Sequence, residues 1–565
     1  MIASPAGIRL ADPGTLEPAL ASALETLDKD DVVRRVWDLD WTVWKDEDRE
    51  ISNRLGWLSA PATATRDIPA LLAFAASVRD VGFRRAAVLG MGGSSLAPEV
   101  FARLFGTAPG ALELEVLDTT EPGAVAAAGA RLDPESTLFV VSSKSGTTAE
   151  VAALLSYFYD RARAALGPGH AGSRFVAITD PGTPLETVAR DLRFRRVFHG
   201  RPDIGGRFSA LSAFGLVPAA LKGLDLERLL APARAMAEAC RVPAAAGNPG
   251  ARLGAILGAA ALQGRDKLTL ILPPRLRPLG GWLEQLVAES TGKDGRGIVP
   301  VIADRPGAAG RGRDRLLVEI GAPAGPAPRP GSPGTAAAAA PMVRLALEDP
   351  YDLAGHFFLW EFATAVAARS LKVNPFDQPD VESTKKRTRE LLASPDGAGS
   401  SGTGRIPGSG GLRVVRPDPA EPPETALAGF LAGRRDGDYL AVLTFLPASR
   451  SVDGLVAALA SSLGLKSGLP VTVGAGPRYL HSTGQLHKGD GNRGLFLMIT
   501  AAGLPLVPIP SVPGIVRPAA DFGALFAAQA GGDALALAAK GRRLLALEIS
   551  GPVEPALAAL SSFLS

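Results

Sequence analysis

The densest chemistry in the sequence is Ser142-Ser143-Lys144-Ser145-Gly146-Thr147-Thr148, which follows the apolar run 139–141 and leads to Glu150. Five hydroxyls and one lysine within seven residues, where a strand gives way to a helix, suit a phosphate. Hydroxyls supply directed donors, and a helix start supplies free amides and a favourable dipole. A helix cap uses the same residue types but needs only one hydroxyl. A second strand–helix junction reads Gly90-Met91-Gly92-Gly93-Ser94-Ser95-Leu96. Its glycines allow a ligand close to the backbone. Ser95 stands where a dinucleotide fingerprint has its third glycine, which counts against a nicotinamide site and leaves an anion-facing turn or a plain tight turn.

Farther on, Ile204-Gly205-Gly206-Arg207-Phe208-Ser209 sets an arginine between a glycine pair and a predicted helix. Such an arginine meets an oxyanion or holds a carboxylate. Gln285 and Glu289 are spaced to share one face of a helix, where a glutamate is ordinarily a surface carboxylate. The segment 374–379, Asn-Pro-Phe-Asp-Gln-Pro, feeds a predicted helix carrying Lys385 and Lys386, so an ammonium presented to a site and a solvated lysine pair are both open. Of the five histidines, His481 and His487 lie in a stretch dense in Ser, Thr and Gly, which predicts a polar loop, functional or simply solvated. No two histidines stand at a helical metal-ligand spacing and Cys240 is the only cysteine, so no metal site is expected.

These residues need a scaffold. Short β-rich runs at 86–89, 112–117, 138–141 and 175–179, each closed by Gly, Ser or Asp, alternate with helical stretches at 67–81, 98–105 and 148–166. That alternation predicts a parallel sheet with helices on both faces. A looser repeat follows: helices at 251–262, 282–291 and 356–371, strands at 268–272, 316–320 and 342–347, and Gly/Ala/Pro/Arg-rich insertions at 305–315 and 322–341. Strands at 439–445, 471–473, 495–500 and 544–549 make a third α/β piece. The expected plan is a helical segment at 1–60, α/β domains at 61–225 and 226–393, a Ser/Gly/Pro linker at 394–416 and a smaller α/β domain at 417–565.

The 565 residues, 46% apolar and 21% charged, hold ample material for several cores. A net charge of +3 over that length gives no electrostatic case for nucleic acid. A single cysteine excludes a disulfide-stapled extracellular protein and favours a reducing compartment. Residues 1–13 lack the order of a secretory signal. The uncharged stretch 495–516 is long enough to span a bilayer, but Pro505, Pro508, Pro510 and Pro513 break it, so a strand and an irregular loop are expected. A soluble, cytoplasmic protein without a membrane partner is predicted.

Taken together, 90–98, 142–150, 205–209, 289–293 and 376–385 resemble phosphoglucose isomerase in content and order, over about residues 85 to 390. The opening helices and the 481–489 stretch resemble the isomerase half of transaldolase–phosphoglucose isomerase fusions. The resemblance implies two sugar isomerase (SIS) domains with parallel sheets flanked by helices. It also implies cofactor-free interconversion of glucose 6-phosphate and fructose 6-phosphate by a homodimer. Carried onto this sequence, Ser143, Ser145 and Thr148 hold the phosphate with Lys144 beside them, and Gly92, Gly93 and Ser94 line the sugar. Arg207 stabilises the enediolate, Glu289 is the base, and Gln285 and Gln378 contact substrate. Lys385 opens the ring, with Lys386 its neighbour. The family histidine between the base and that lysine has no match, since only His356 lies there and its surroundings differ. His481 or His487 is then expected to substitute. The alternatives are a related phosphosugar isomerase, or a sugar-phosphate sensor. A sensor has no use for Glu289, Arg207 and Lys385 together.

Overall fold

The computed structural model describes residues 8–11, 15–303, 312–321, 340–393, 411–416 and 418–564. They pack as two compact units, one formed by residues up to 118, 132–151 and 161–377, the other by 119–131, 152–160 and 378 onward.

The first unit holds two five-stranded sheets. One is wholly parallel, in the spatial order Glu113–Leu117, Arg85–Gly90, Thr137–Ser142, Phe175–Thr179, Arg196–His199. Its central strands are buried along nearly their whole length, the pattern of a sheet covered on both faces and the reason those runs read as continuously apolar. The second sheet runs Arg9–Ala11, Met342–Leu345, Arg315–Ile320, Lys267–Ile271, Val299–Ala303, parallel except for the first strand. Helix Leu353–Leu371 is buried almost end to end and packs on Pro249–Leu262, Leu226–Ala239 and Arg277–Thr291.

The second unit holds one sheet, in the order Leu412–Arg416, Arg543–Ile549, Gly494–Ala501, Tyr439–Phe445, Val471–Ala475, with only Leu412–Arg416 antiparallel. Helix Phe522–Ala539 is long and apolar enough to cross a membrane, yet 61% of it is buried inside the protein. The expected strand and irregular loop appear as Gly494–Ala501 and a stretch without regular helix after it.

All three sheets share one winding: the first parallel strand in the chain is flanked by the second and the third. The chain reverses direction across the sheet there, which opens a crevice at the carboxyl ends of those strands.

Several expectations change. Residues 38–58 form short 3-10 turns, Trp41–Val43, Ser52–Arg54 and Gly56–Ser59, rather than a helix. Their tryptophans are spent on the core: the Trp44 indole N–H donates to the Ala365 carbonyl at 2.8 Å, and Trp57 is fully buried. Residues 481–489 are not a solvated loop but the end of the turn Arg478–His481 and a buried short helix, Gly484–Gly489. Packing divides the chain at 377/378, before helix Val381–Ala393, whereas composition places the linker after it. The linker residues 394–410 and most of the two insertions, 305–311 and 322–339, lie outside the described residues.

Candidate active site

In the first sheet the crevice lies between Arg85–Gly90 and Thr137–Ser142, paired so that Gly90 is opposite Ser142. Both hydroxyl- and glycine-rich junctions therefore open from adjacent strand ends. The corresponding strand end of the third sheet is filled: the Glu121 carboxylate accepts the Ala448 amide at 3.4 Å and the amides of Gly123 and Ala124 at 2.8 and 2.6 Å.

The 143–148 loop is held from below. The Ser143 amide donates to the Ile178 carbonyl at 3.0 Å. Gly146 has φ +67°, and a Cβ there would meet the Leu185 nitrogen at 2.8 Å, so the loop requires glycine at this point. Thr148 stands at the N-cap of helix Ala149–Leu166 with extended backbone, yet its hydroxyl makes no cap bond. It lies 3.1 Å from the Ser143 hydroxyl, and Ser145 lies 3.0 Å from Thr147. The capping explanation thus fails for Thr148, while the Ser145 hydroxyl accepts the Thr147 amide at 3.3 Å, and these hydroxyls lie beside the first amides of an 18-residue helix. Lys144 is engaged elsewhere: its ammonium binds the Asp180 carboxylate and the Arg201 carbonyl. Burial lowers its pKa, opposed by Asp180. Lys144 is a strut under the loop.

The glycine turn touches the arginine loop. A Cβ on Gly93 would lie 2.0 Å from the Gly206 carbonyl oxygen, so only glycine fits there. The Ser142 hydroxyl donates to the Ser94 carbonyl at 3.1 Å and the Ser209 hydroxyl to the Gly93 carbonyl at 3.4 Å. Gly92, at φ +53°, and Ser94 are buried in the same turn.

Arg207 follows in the turn Gly206–Phe208, its side chain 3% exposed and its Nε 3.5 Å from Oε2 of Glu289. The guanidinium is oriented by two carbonyls, Phe376 at 3.1 Å and Asp377 at 2.9 Å from Nη2. Aromatic contacts fix that segment: Phe376 packs at 5.2 Å from Trp44 and 5.3 Å from Phe208, and Phe208 at 5.3 Å from Trp57. Glu289 lies near the carboxyl end of helix Arg277–Thr291, 8% exposed, and the Gln285 amide one turn earlier donates to Oε2 at 3.1 Å. The expected surface carboxylate is buried beside a fixed cation. Such a pair can accept a proton from carbon and stabilise the oxyanion that results.

One residue of this network was not assigned from sequence. Lys293, 2% exposed, donates to the carbonyls of Asn374 at 2.7 Å and Asp377 at 2.5 Å and pairs with the Asp377 carboxylate at 2.8 Å. Burial and the nearby Arg207 push its pKa down to about 8. Its only sequence trace was its place in 289–293.

Of the other named residues, Gln378, Lys385, Lys386, His481 and His487 belong to the second unit and His356 to the first. Gln378 precedes helix Val381–Ala393, on which Lys385 is exposed and pairs with Glu382 at 2.7 Å, while Lys386 is more exposed still. His481 is half-buried. His487 is 1% exposed, its ring 6.3, 6.0 and 5.1 Å from Tyr439, Tyr479 and Phe496. Burial, with Lys488 and Arg542 nearby, holds its pKa well below the ordinary value. It is a neutral core histidine. His356 is also buried and engages the Ala346 carbonyl at 2.8 Å.

The phosphoglucose isomerase family model matches residues 81–298. The glucose-6-phosphate isomerase of Citrifermentans bemidjiense is 35% identical over 276 residues, 44% of this chain and 51% of that one; the chain thus spans about half the length of this curated relative. The glucose-6-phosphate isomerase of Geobacter sp. strain M21 is 30% identical over 413 residues, 61% of this chain and 76% of the relative. Among solved structures, a hypothetical protein of Thermus thermophilus aligns with TM-score 0.57 and 27% identity, over 68% of this chain and all of that one. A glucose-6-phosphate isomerase of Chlamydia trachomatis shares the fold at TM-score 0.57 and 19% identity, over 67% of this chain and 87% of the other. With three quarters of the Geobacter relative matched at 30% identity, the chain belongs to the phosphoglucose isomerase family.

Proposed function

We propose that this protein interconverts glucose 6-phosphate and fructose 6-phosphate, with Glu289 as the base. The observation that carries the reading is the buried Glu289–Arg207 pair at 3.5 Å, with Gln285 holding the carboxylate. The phosphate rests on Ser143, Ser145, Thr148 and the helix amides, and this remote binding energy orients the reacting end. Gly92, Gly93 and Ser94 line the sugar.

With the chain open, Glu289 takes the proton from C2 of the aldose. The C2 electron pair forms the C1–C2 double bond of a cis-enediol, and the carbonyl oxygen takes up negative charge that Arg207 stabilises without losing its own proton. Protonation of C1 by the same carboxyl, with the O2 hydroxyl proton passing to the anionic O1, restores the carbonyl at C2 and yields the ketose. Lys385 opens the ring, and the histidine role falls to His481, since His487 is enclosed. Gln378 contacts the substrate. The reaction needs no cofactor, and the reading places the protein in the cytoplasm as a homodimer without nucleic-acid or membrane partners. Family membership and the single cysteine support it.

Turnover of glucose 6-phosphate by the purified chain, with Glu289→Gln alongside, is the test. Activity reduced by about 10²–10⁴ in the variant, with sugar phosphate still bound, supports the base. Binding without turnover in the wild type leaves a related phosphosugar substrate or a sensor.

A further inference from the structure

The ring-opening lysine sits on a helix that has little means of fixing itself. Of the thirteen residues in Val381–Ala393, only Val381 and Thr384 are buried. What holds it comes from the C-terminal part of its own unit. Gln485, wholly buried, grips Asp380 just ahead of the helix: Oε1 accepts the Asp380 amide at 2.9 Å and Nε2 donates to Oδ2 at 2.8 Å. The other carboxylate oxygen pairs with Lys540 at 2.5 Å. Farther along, helix Phe522–Ala539 approaches through two glycines. A Cβ on Gly532 would lie 2.4 Å from the Thr388 hydroxyl and 3.0 Å from its nitrogen, and one on Gly531 would lie 3.1 Å from Leu391. A two-point grip on backbone and carboxylate fixes where the helix starts, and the glycine contact fixes its depth.

We propose that the C-terminal sheet domain is the positioning platform for Lys385, with Gln485 the positioning residue that sets the start of its helix. This rests on the assignment of Lys385 to ring opening. It also gives a task to Gly484–Gly489, whose Gln485 works through Asp380 while His487 packs in the core. Small displacements of a reacting group cost up to about 10²-fold in rate, so loss of the grip is read in kcat.

The test uses the full chain. Gln485→Leu is expected to lower kcat for glucose 6-phosphate roughly tenfold to 10²-fold with KM nearly unchanged. Combined with Lys385→Ala it lowers kcat no further than Lys385→Ala alone, since both act on one step. In a Glu289→Gln background, where C2 deprotonation is blocked, Gln485→Leu slows enzyme-catalysed exchange between the two anomers of glucose 6-phosphate, measured by NMR. Lys540→Met removes the exposed half of the grip and gives a smaller loss in the same direction, and it decides the matter should Gln485→Leu not fold. Wild-type kcat in Gln485→Leu, or an additive loss in the double variant, overturns the proposal. If the wild type does not isomerise the sugar, the proposed activity fails on its own. Amide exchange of residues 381–393 in Lys540→Met then decides the grip: faster exchange supports it, unchanged exchange overturns it.

Discussion

Arg207 and Lys293, two buried cations from distant parts of the chain, donate to the same carbonyl oxygen, that of Asp377, at 2.9 and 2.5 Å. Like charges are brought together there because Asp377 also offers its carboxylate to Lys293 at 2.8 Å. Lys293 therefore fixes the carbonyl that aims Arg207 at Glu289. Lys293→Met keeps most of the side-chain volume and removes all three bonds. It is expected to lower kcat by about 10²-fold through a displaced Arg207, with phosphate binding retained, as measured by inorganic phosphate inhibition.

The Lys293 pKa of about 8 against an ordinary 10.5 gives this site a pH signature. Its charged neighbours are Arg207, which disfavours the ammonium, and Asp377 and Glu289, which favour it; burial outweighs both carboxylates. As pH rises through about 8, the folded protein loses this proton while the unfolded chain keeps it up to about 10.5. Stability from this group is thus gained across that window, with a slope of up to about 1.4 kcal/mol per pH unit. The stability of wild type relative to Lys293→Met, by urea titration, is expected to rise with pH there, while wild-type kcat falls because the neutral amine has fewer donors. A flat difference between the two proteins from pH 7 to 10 would sink the assignment.

In the proposed phosphate loop, ligand and strut residues are expected to separate by experiment. Ser143→Ala and Thr148→Val each remove one of two hydroxyls 3.1 Å apart, that of Thr148 making no cap bond, so each is expected to raise KM for the sugar phosphate by about tenfold, one charged hydrogen bond's worth, with the melting temperature unchanged. Lys144→Met breaks a part-buried pair with Asp180 and is expected to lower the melting temperature. Calorimetry and initial-rate kinetics on the three variants check this. A Lys144→Met protein with wild-type stability and a raised KM would return that lysine to the phosphate.

Gly93→Ala places a methyl group 2.0 Å from the Gly206 carbonyl oxygen. Neither partner is the flexible end of a side chain, so the turn carrying Arg207 must move. A loss of about 1–3 kcal/mol of stability is expected, together with a fall in kcat larger than that in Ser94→Ala. Denaturant titration and kinetics measure both.

What was legible in the sequence is what is local. The hydroxyl-rich strand–helix junction at 142–148 is readable because its five hydroxyls, the strand before and the helix after are contiguous, and parallel strands covered on both faces read as unbroken apolar runs. Lys293 was illegible because its partners, Asn374 and Asp377, lie more than 80 residues away and two of its three contacts are to backbone carbonyls, which carry no residue type. The unit boundary before Val381–Ala393 was hidden for a similar reason. A helix of Lys, Arg, Glu and Thr looks solvated, and its docking depends on glycines at 531 and 532 that approach it closely. Residues 38–58 deceived in the opposite sense: they fell within the helical segment expected at 1–60 but form short turns whose tryptophans pack into the core.

His481 and His487 looked alike in sequence, and their surroundings divide them. His487 is enclosed by three aromatic rings, and among the described residues its Nδ1 has no hydrogen-bond partner. An imidazole held neutral by burial cannot cycle a proton near neutral pH, and a buried nitrogen without a partner costs stability. His487→Phe keeps the ring and removes that nitrogen, so its melting temperature is expected to match or exceed that of the wild type, at wild-type kcat. His481→Ala, at a half-exposed position, is expected to lower kcat by about tenfold or more if it serves ring opening, within the range for a general acid–base group. The same pair of variants, assayed for anomer exchange of glucose 6-phosphate, tells ring opening from later steps. Loss of exchange in His487→Phe with retention in His481→Ala would reverse the two roles and require the His487 enclosure to open during turnover.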